Sequence, residues 1–413
     1  MKLTPQTLQQ QLNLLKQPTA WLVAFSGGLD STVLLHALIQ TKQKIPITAC
    51  YIDHGLQAIS KDWIQHCQII CQQWQIPLKI KQLNLTPIKG ESIEAIARTA
   101  RYQVLQEYLN ENEILLTAQH ADDQVETVLL QLLRGSGVEG LSAMPSCKPF
   151  GQGLHARPLL PFSKADLKKY ALAENLIWIE DPSNQETCFD RNYLRQKVIP
   201  LLKNRWQGLT KTIPRSAQLC AEAAQLNQQS AQQYLQADIL NHFKLADFSQ
   251  PQQRLILRQW FIQQKVPQPN QRRLNQIQQL IAKQRNARAL VEWQNIQLRV
   301  YHQHFYLMPK LNPFDSTVII HWKVGVNVLK LPANLGKLKR INSSLPLEIR
   351  FRQGGEGRIL KKIFQEKKVL PWMRDQIPLI YNQNKLIQIG DLKKQSELEI
   401  QWIKESCYFS ATI

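Results

Sequence analysis

The sequence predicts an α/β protein: an N-terminal Rossmann-like parallel sheet, then an α-helical domain and a small α+β C-terminal domain. Three observations carry this expectation. Trp21 to Phe25 is an apolar run too short for a helix, a glycine loop follows it, and Thr32 to Leu38 continues in helical style. β-rich runs and helical stretches then alternate through the front half, as crossover units of a parallel sheet require. Composition changes twice behind them. Residues 215–300 are rich in Gln, Ala, Leu and Arg, and from Leu331 short alternating strands take over. The expected domains are 1–214, 215–325 and 326–413.

The loop is Ser26-Gly27-Gly28-Leu29-Asp30-Ser31. Paired glycines let backbone N–H groups approach an anion closely, and a helix start adds a dipole of about half a charge. A tight turn capped by Asp30 or Ser31 would use the same residues, but the whole string at a strand-to-helix junction points to phosphate. A Walker loop would need Gly-Lys-Ser/Thr after the glycines, and a dinucleotide fingerprint a third glycine; this string has neither.

Ile47 to Ile52 reads as the next strand, leading into Asp53-His54-Gly55-Leu56. Asp53 falls on the ligand-binding edge of an open parallel sheet, where it either contacts adenosine or a metal-held phosphate, or caps the turn. Lys61 to Gln75 reads as a helix and Leu78 to Leu83 as a strand. Glu91 to Leu109 is a helix with Glu94, Arg98 and Arg101 on one face. These make either a solvated ion pair worth ~0.3–0.5 kcal/mol or an arginine aimed at phosphate. Glu113 to Ala118 is a strand, and Gln119-His120-Ala121-Asp122-Asp123-Gln124-Val125-Glu126-Thr127 leads into a helix through Val128 to Leu133. Asp123 and Glu126 have capping-box spacing. Asp122 and Glu126 share a helix face and could hold Mg²⁺ between phosphate oxygens. His120 belongs to the same edge as the glycine loop. Gly135-Ser136-Gly137 ends that helix, Arg157 to Leu160 reads as a strand, and Ser163 with Asp166 caps a helix to about Asn175. Asp181, Asn184, Arg191 and Arg195 form a dense polar cluster, either functional or a surface hinge.

Charge divides the chain. Its net charge is +20, yet residues 1–190 carry 16 Lys+Arg against 18 Asp+Glu, and residues 191–300 carry 17 against 4. A near-neutral front and a basic rear suggest catalysis in front and polyanion binding behind. Ala217–Leu235, Gln252–Gln264 and Arg272–Lys283 read as helices. Arg254, Arg258, Arg272, Arg273, Lys283, Arg285 and Arg288 make the region basic, as phosphate contact would. Trp293–Val300 with Phe305–Met308 reads as a hairpin. Further on, Gln353-Gly354-Gly355-Glu356-Gly357 is a turn, Lys361, Lys362, Lys367 and Lys368 lie on a helix, and Tyr381–Ile387 is a hairpin. No apolar run approaches the ~18 residues of a membrane span. The Met-Lys-Leu-Thr-Pro-Gln start has no signal-peptide hydrophobic region, so a cytoplasmic protein is expected. Seven scattered cysteines without Cys-x-x-Cys speak against a disulfide framework or a zinc site.

Taken in order, these motifs resemble the tRNA(Ile)-lysidine synthetase family, of the long bacterial form with two C-terminal domains, within the PP-loop ATP pyrophosphatases. Besides Ser26–Ser31 they include Asp53–Leu56, Ala97-Arg98 with Arg101-Tyr102, Thr117–Thr127, Leu133–Gly137 and Arg157–Leu160. Asp181 with Ser183-Asn184, Arg191-Asn192 with Arg195, Gly354–Glu356 and Pro371–Arg374 complete the set. Gln119 departs from the pattern, since many members have a second histidine there. The resemblance implies ligation of free L-lysine to C2 of the wobble cytidine in the CAU anticodon of tRNA(Ile), through an adenylated cytidine, with ATP and Mg²⁺. It implies Ser26, Gly27, Gly28, Leu29, Asp30, Ser31 and Asp53 at ATP, Asp30 and Asp122 at the metal, and Asp30, Asp122, Glu126, His120, Arg98 and Arg191 in catalysis. It leaves oligomeric state open, a homodimer included. A tRNA thiolase of the same superfamily would need a persulfide or cluster cysteine set. A non-catalytic RNA-binding protein that retains the loop is the other alternative.

Overall fold

A computed structural model describes residues 2–53, 60–83, 85–86, 93–182, 189–235, 240–282, 289–301, 304–342, 345–353, 358–394 and 399–404. Of the sequence features above, His54-Gly55-Leu56, Glu91, Ser183-Asn184, Lys283, Arg285, Arg288 and the Gly354–Gly357 turn lie outside the described residues. The chain divides into two compact units, Met1–Leu226 and Asn227–Ile413.

The first unit is built on a six-stranded sheet of β1 (Trp21–Ala24), β2 (Ile47–Asp53), β3 (Leu78–Gln82), β4 (Ile114–Leu116), β5 (Cys147–Phe150) and β6 (Gly153–Ala156), in the order β3-β2-β1-β4-β6-β5. All pairs are parallel except β5 with β6, a hairpin that closes one edge. β1 is central and buried on both faces. Alternation sends Trp21, Val23 and Phe25 into one core and Leu22 and Ala24 into the other. The helices are α1 (Pro5–Leu12), α2 (Leu29–Gln40), α3 (Ser60–Gln73), α4 (Ile93–Glu107), α5 (Ala121–Leu133), α6 (Val138–Leu141), α7 (Lys164–Ala173), α8 (Asp190–Tyr193), α9 (Ile199–Arg205) and α10 (Leu209–Gln232). A π-helical turn, Leu194–Val198, joins α8 to α9. α2 buries Val33, Leu34, Leu35, Ala37 and Leu38, so it is fixed against the sheet, and its first turn is fixed with it.

Two sequence expectations shift here. The strand expected at Arg157–Leu160 is β6, which stops at Ala156. Arg157 turns its guanidinium to the Pro145 carbonyl instead (2.8 Å), and Pro158 lacks the N–H a continuing ladder needs. The helix expected from Val128 starts at Ala121, with His120 as its N-cap residue, because the acidic first turn already suits a helix N-terminus.

The second unit has two large cores and a smaller cluster around Tyr306, Leu370 and Met373. In one, α12 (Gln250–Gln263) and α13 (Gln271–Ala282) pack Leu257, Trp260, Phe261, Leu274 and Ile277 against strands β8 (Leu290–Trp293), β9 (Ile296–Tyr301) and β10 (His304–Pro309). With β7 (Leu240–Asn241), which precedes α11 (His242–Ala246), these strands form an antiparallel sheet in the order β7-β10-β9-β8. The region is therefore less purely helical than its composition suggests. Trp293 ends a strand of its own instead of opening the hairpin. The second core combines a five-stranded and a three-stranded sheet with α14 (Arg358–Glu366), whose Leu360, Ile363 and Phe364 point inward. Among the described residues, no helix is long and apolar enough to cross a membrane.

Candidate active site

Three pieces meet at the C-terminal edge of the parallel sheet: the loop after β1, the start of α5 after β4, and the segment from α8 into α9. The loop is braced by Ser31. Its Oγ accepts from Ser26 N (3.2 Å) and donates to Gly28 O (3.1 Å), so the Ser26 hydroxyl, 3.1 Å away, donates to it. Gly27 has φ +75°, and a Cβ there would lie 2.9 Å from both Cys67 Sγ and Ile179 Cδ1. Only glycine fits. The first helical N–H to find a helical acceptor is that of Thr32, on Gly28 O. The N–H groups at the start of a helix lack intrahelical acceptors and suit an anion, although that of Leu29 faces the Ile179 carbonyl across an isolated parallel bridge. Gly27→Ala is expected to raise the KM for ATP at least about tenfold and to cost about 1–2 kcal/mol of stability. ATP-dependent kinetics and a thermal melt check both.

The loop opens on a cavity of about 820 Å³, lined also by Tyr51, Ile52, Arg101, Lys164, Lys168, Trp178, Asp181 and Arg195. That is room enough for a nucleotide. Asp53 ends β2 beside it and is buried. Arg101, one turn beyond Arg98 on α4, lines the cavity and has no carboxylate partner among the described residues. Arg98 instead stacks on the Tyr102 ring, 5.2 Å from its centroid. From sequence both arginines lay on one helix face, and only packing tells which of them reaches the cavity.

His120 is the hub of an acidic cluster. Its Nε2 is 3.5 Å from Asp30 Oδ2 and 3.5 Å from Asp123 Oδ2, and its Nδ1 is 3.8 Å from Asp122 Oδ2. Burial alone would lower the imidazole's pKa. The Asp30 hydrogen bond and the charges of Asp123, Asp30 and Asp122 outweigh it and raise the pKa above the ordinary histidine value. Burial likewise pushes the Asp30 carboxyl up, but His120, Lys164 and Arg195 more than offset that and hold it low. Asp30 Oδ1 is buried without a hydrogen-bond partner.

Asp122 and Glu126 are each already committed. Asp122 accepts from Lys203 Nζ (2.5 Å) and Lys164 N (2.8 Å). Burial raises its pKa, and these two contacts bring it back below the usual range. Glu126 is 1 % exposed and is clasped by Arg191 Nε (2.8 Å) and by Arg195 Nε (2.6 Å) and Nη2 (2.9 Å). Both arginines also reach Asp123 Oδ1, at 3.5 and 3.4 Å. The structure thus brings together Asp30, His120, Asp122, Glu126 and Arg191, and adds Asp123, Lys164, Arg195 and Lys203. The spacing of the Asp-Asp-x-x-x-Glu run marks it as chemically loaded, whereas nothing in the sequence couples Lys203 to Asp122. As for a cation, the free Oδ1 of Asp30 fits one, while both Asp122 oxygens are engaged. Among the described residues, no group of three His, Cys, Asp or Glu is placed to hold a metal by itself. Mg²⁺ ordinarily binds through one or two carboxylates plus substrate phosphates, and Asp30 at the loop suits that arrangement.

Comparison with known proteins places this geometry. A PP-loop domain model matches residues 3–202, a TilS substrate binding domain model residues 240–306 and a TilS substrate C-terminal domain model residues 342–406. The tRNA(Ile)-lysidine synthase of Coxiella burnetii is 40 % identical over 412 residues, covering 94 % of this chain and 92 % of its own length. The chain belongs to the tRNA(Ile)-lysidine synthase family. The synthase of Escherichia coli O157:H7 is 39 % identical over 411 residues, covering 92 % of this chain and 93 % of its own. A solved U34-tRNA thiolase, NcsA from Methanococcus maripaludis, covers 53 % of this chain and 77 % of its own at 19 % identity and TM-score 0.45. The family is an ATP-using tRNA-modifying ligase family, and the PP-loop match implies that the chain binds ATP.

Beside the site, a polar group is buried without acid. His155 on β6 is 0 % exposed, and its pKa is held down at about 3 by burial first, then by the charges of Arg157, Lys148 and Arg98. An unfolded histidine titrates near pH 6.5. Below that pH the unfolded chain takes up a proton that the folded chain refuses, so stability is fully present above about pH 6.5. It falls by up to about 1.4 kcal/mol per pH unit as acid is added. Thermal melts from about pH 7 to pH 4 are expected to drop more steeply for the wild type than for His155→Gln.

Proposed function

We propose that this protein joins free L-lysine to C2 of the wobble cytidine in a CAU-anticodon tRNA(Ile), in the cytoplasm, using ATP and releasing AMP and pyrophosphate. The observation that supports this most is the meeting of the glycine loop, Asp30 and Arg101 at one cavity, beside the His120 cluster. A cytosine C2 carbonyl is a poor electrophile, so its oxygen must first become a leaving group. That oxygen attacks the α-phosphorus of ATP and pyrophosphate departs toward the loop. The N–H groups of the α2 start and Arg101 are set to meet the developing phosphate charge. Mg²⁺ would be held by Asp30 with phosphate oxygens and would supply further positive charge there.

The ε-amine of lysine, deprotonated, then attacks C2, and AMP leaves with the original oxygen. The amine's proton is taken up by a carboxylate or the histidine of the cluster. Arg191, Arg195 and Lys203 neutralise Glu126 and Asp122, which keeps the acidic ridge from repelling ATP. Arg98 supports this site from the Tyr102 side, and Asp53 borders the adenosine side. The divisions 1–214, 215–325 and 326–413 serve as catalytic domain and two tRNA-holding domains. The basic α12 and α13, carrying Arg254, Arg258, Arg272 and Arg273, suit phosphate contact. The test is mass analysis of the wobble nucleoside after incubation with ATP, lysine and this tRNA. Cytidine plus lysine less one water supports the proposal, and unchanged cytidine from an active preparation sinks it.

A further inference from the structure

One buried polar chain has no part in the steps above. Arg157, His155 and Thr117 are 5 %, 0 % and 4 % exposed. Arg157 Nη2 is 3.2 Å from His155 Nδ1. A guanidinium only donates, so Nδ1 accepts and the ring's one N–H is on Nε2. Nε2 lies 2.7 Å from Thr117 Oγ1 and donates to it. The Thr117 hydroxyl in turn donates to Gln119 Oε1. The polarity runs one way at each link. It ends with the Gln119 oxygen occupied and the Gln119 NH₂ without an acceptor among the described residues.

Gln119 stands at the C-terminal edge of β4, directly before His120, and is half-buried. It does not line the cavity over Ser26–Ser31. Its position therefore suits the second substrate better than ATP. A neutral amide donor matches a neutral base acceptor, whereas a phosphate is better served by a cation. An unrestrained amide could present either its oxygen or its nitrogen. The relay removes that freedom, and preorganisation of this kind is what specificity needs.

We propose that Arg157, His155 and Thr117 form a one-way hydrogen-bond relay that locks Gln119 with its NH₂ as donor to O2 or N3 of the pyrimidine being modified. This rests on the lysidine-forming reading above. At N3 the locked donor favours cytosine, since cytosine N3 is an acceptor and uracil N3 carries a proton; at O2, which both bases carry, it only positions. Gln119 is the specificity contact, and the other three are positioning residues.

The test is steady-state kinetics on full-length protein with the CAU tRNA, varying tRNA and ATP separately. Gln119→Met keeps length but has no donor. It is expected to lower kcat/KM for tRNA about 10- to 100-fold while leaving the KM for ATP and the melting temperature within about twofold and a degree or two. Thr117→Val should act in the same direction, about 5- to 10-fold, and Thr117→Ser should restore activity to within about twofold. Wild-type values for tRNA in Gln119→Met, a loss confined to the KM for ATP, or a Thr117→Val loss that Thr117→Ser does not restore would each overturn the relay. Absence of lysine transfer by the wild type would overturn the functional reading and the relay with it. Normal wild-type transfer with an indifferent Gln119→Met overturns the relay alone.

Discussion

Asp30→Ala is expected to abolish turnover, lowering kcat by at least about 10³-fold, while tRNA affinity stays within about threefold. The carboxylate sits in the first turn of α2, beside the N–H groups proposed to receive phosphate. One oxygen is 3.5 Å from His120 Nε2, and the other is buried and unpartnered. Removing it takes away the group that fits a cation at the phosphates and leaves His120 short of one of its three acidic neighbours. The basic charge expected to hold tRNA lies elsewhere, since residues 191–300 carry 17 Lys+Arg against 4 Asp+Glu. Pyrophosphate release measures the first effect and equilibrium binding to labelled tRNA the second. An equal collapse of tRNA binding would contradict this division of labour.

Glu126→Gln should have the largest effect on stability. The carboxylate is 1 % exposed and accepts from two arginines, and a glutamine amide in its place puts an NH₂ against one guanidinium. Removing one partner of a buried ion pair costs about 3–5 kcal/mol. The lower figure applies here because Arg191 and Arg195 side chains are 33 % and 30 % exposed and recover some hydration. At about 2–4 °C per kcal/mol for a unit of this size, the melting temperature falls by roughly 6–12 °C. Activity per folded molecule should fall too, because the segment from α8 to α9 loses its anchor on α5. A melting temperature unchanged from the wild type would mean that the clasp contributes nothing net.

What the sequence made legible was local. The Ser26–Ser31 string announced a phosphate loop because glycine conformation and a helix start are both set within a few residues. The Ser163–Asp166 capping box placed the start of α7, and strand–helix alternation gave the parallel sheet. Distant partners were not legible. Lys203 meets Asp122 across 81 residues, and no spacing rule reaches that far. Arg98 and Arg101 could not be ranked, because only the packing of α4 on the sheet selects the one that lines the cavity. The antiparallel β5 edge and strands β7 and β8 of the sheet beside α12 and α13 were missed for a related reason. Their strands are short, and a two-residue strand such as β7 has no periodicity to read. His155 carried no motif at all, yet it meets Thr117 from the neighbouring strand.

The central claim is that the loop cleaves ATP to AMP and pyrophosphate only to drive lysine onto tRNA. It is tested most directly by following labelled ATP and labelled lysine together, with and without the CAU-anticodon tRNA(Ile). The predicted result is AMP, pyrophosphate and tRNA-bound lysine in a 1:1:1 ratio, all dependent on that tRNA. Formation of ADP and phosphate, or pyrophosphate release with no lysine on the tRNA, would contradict it.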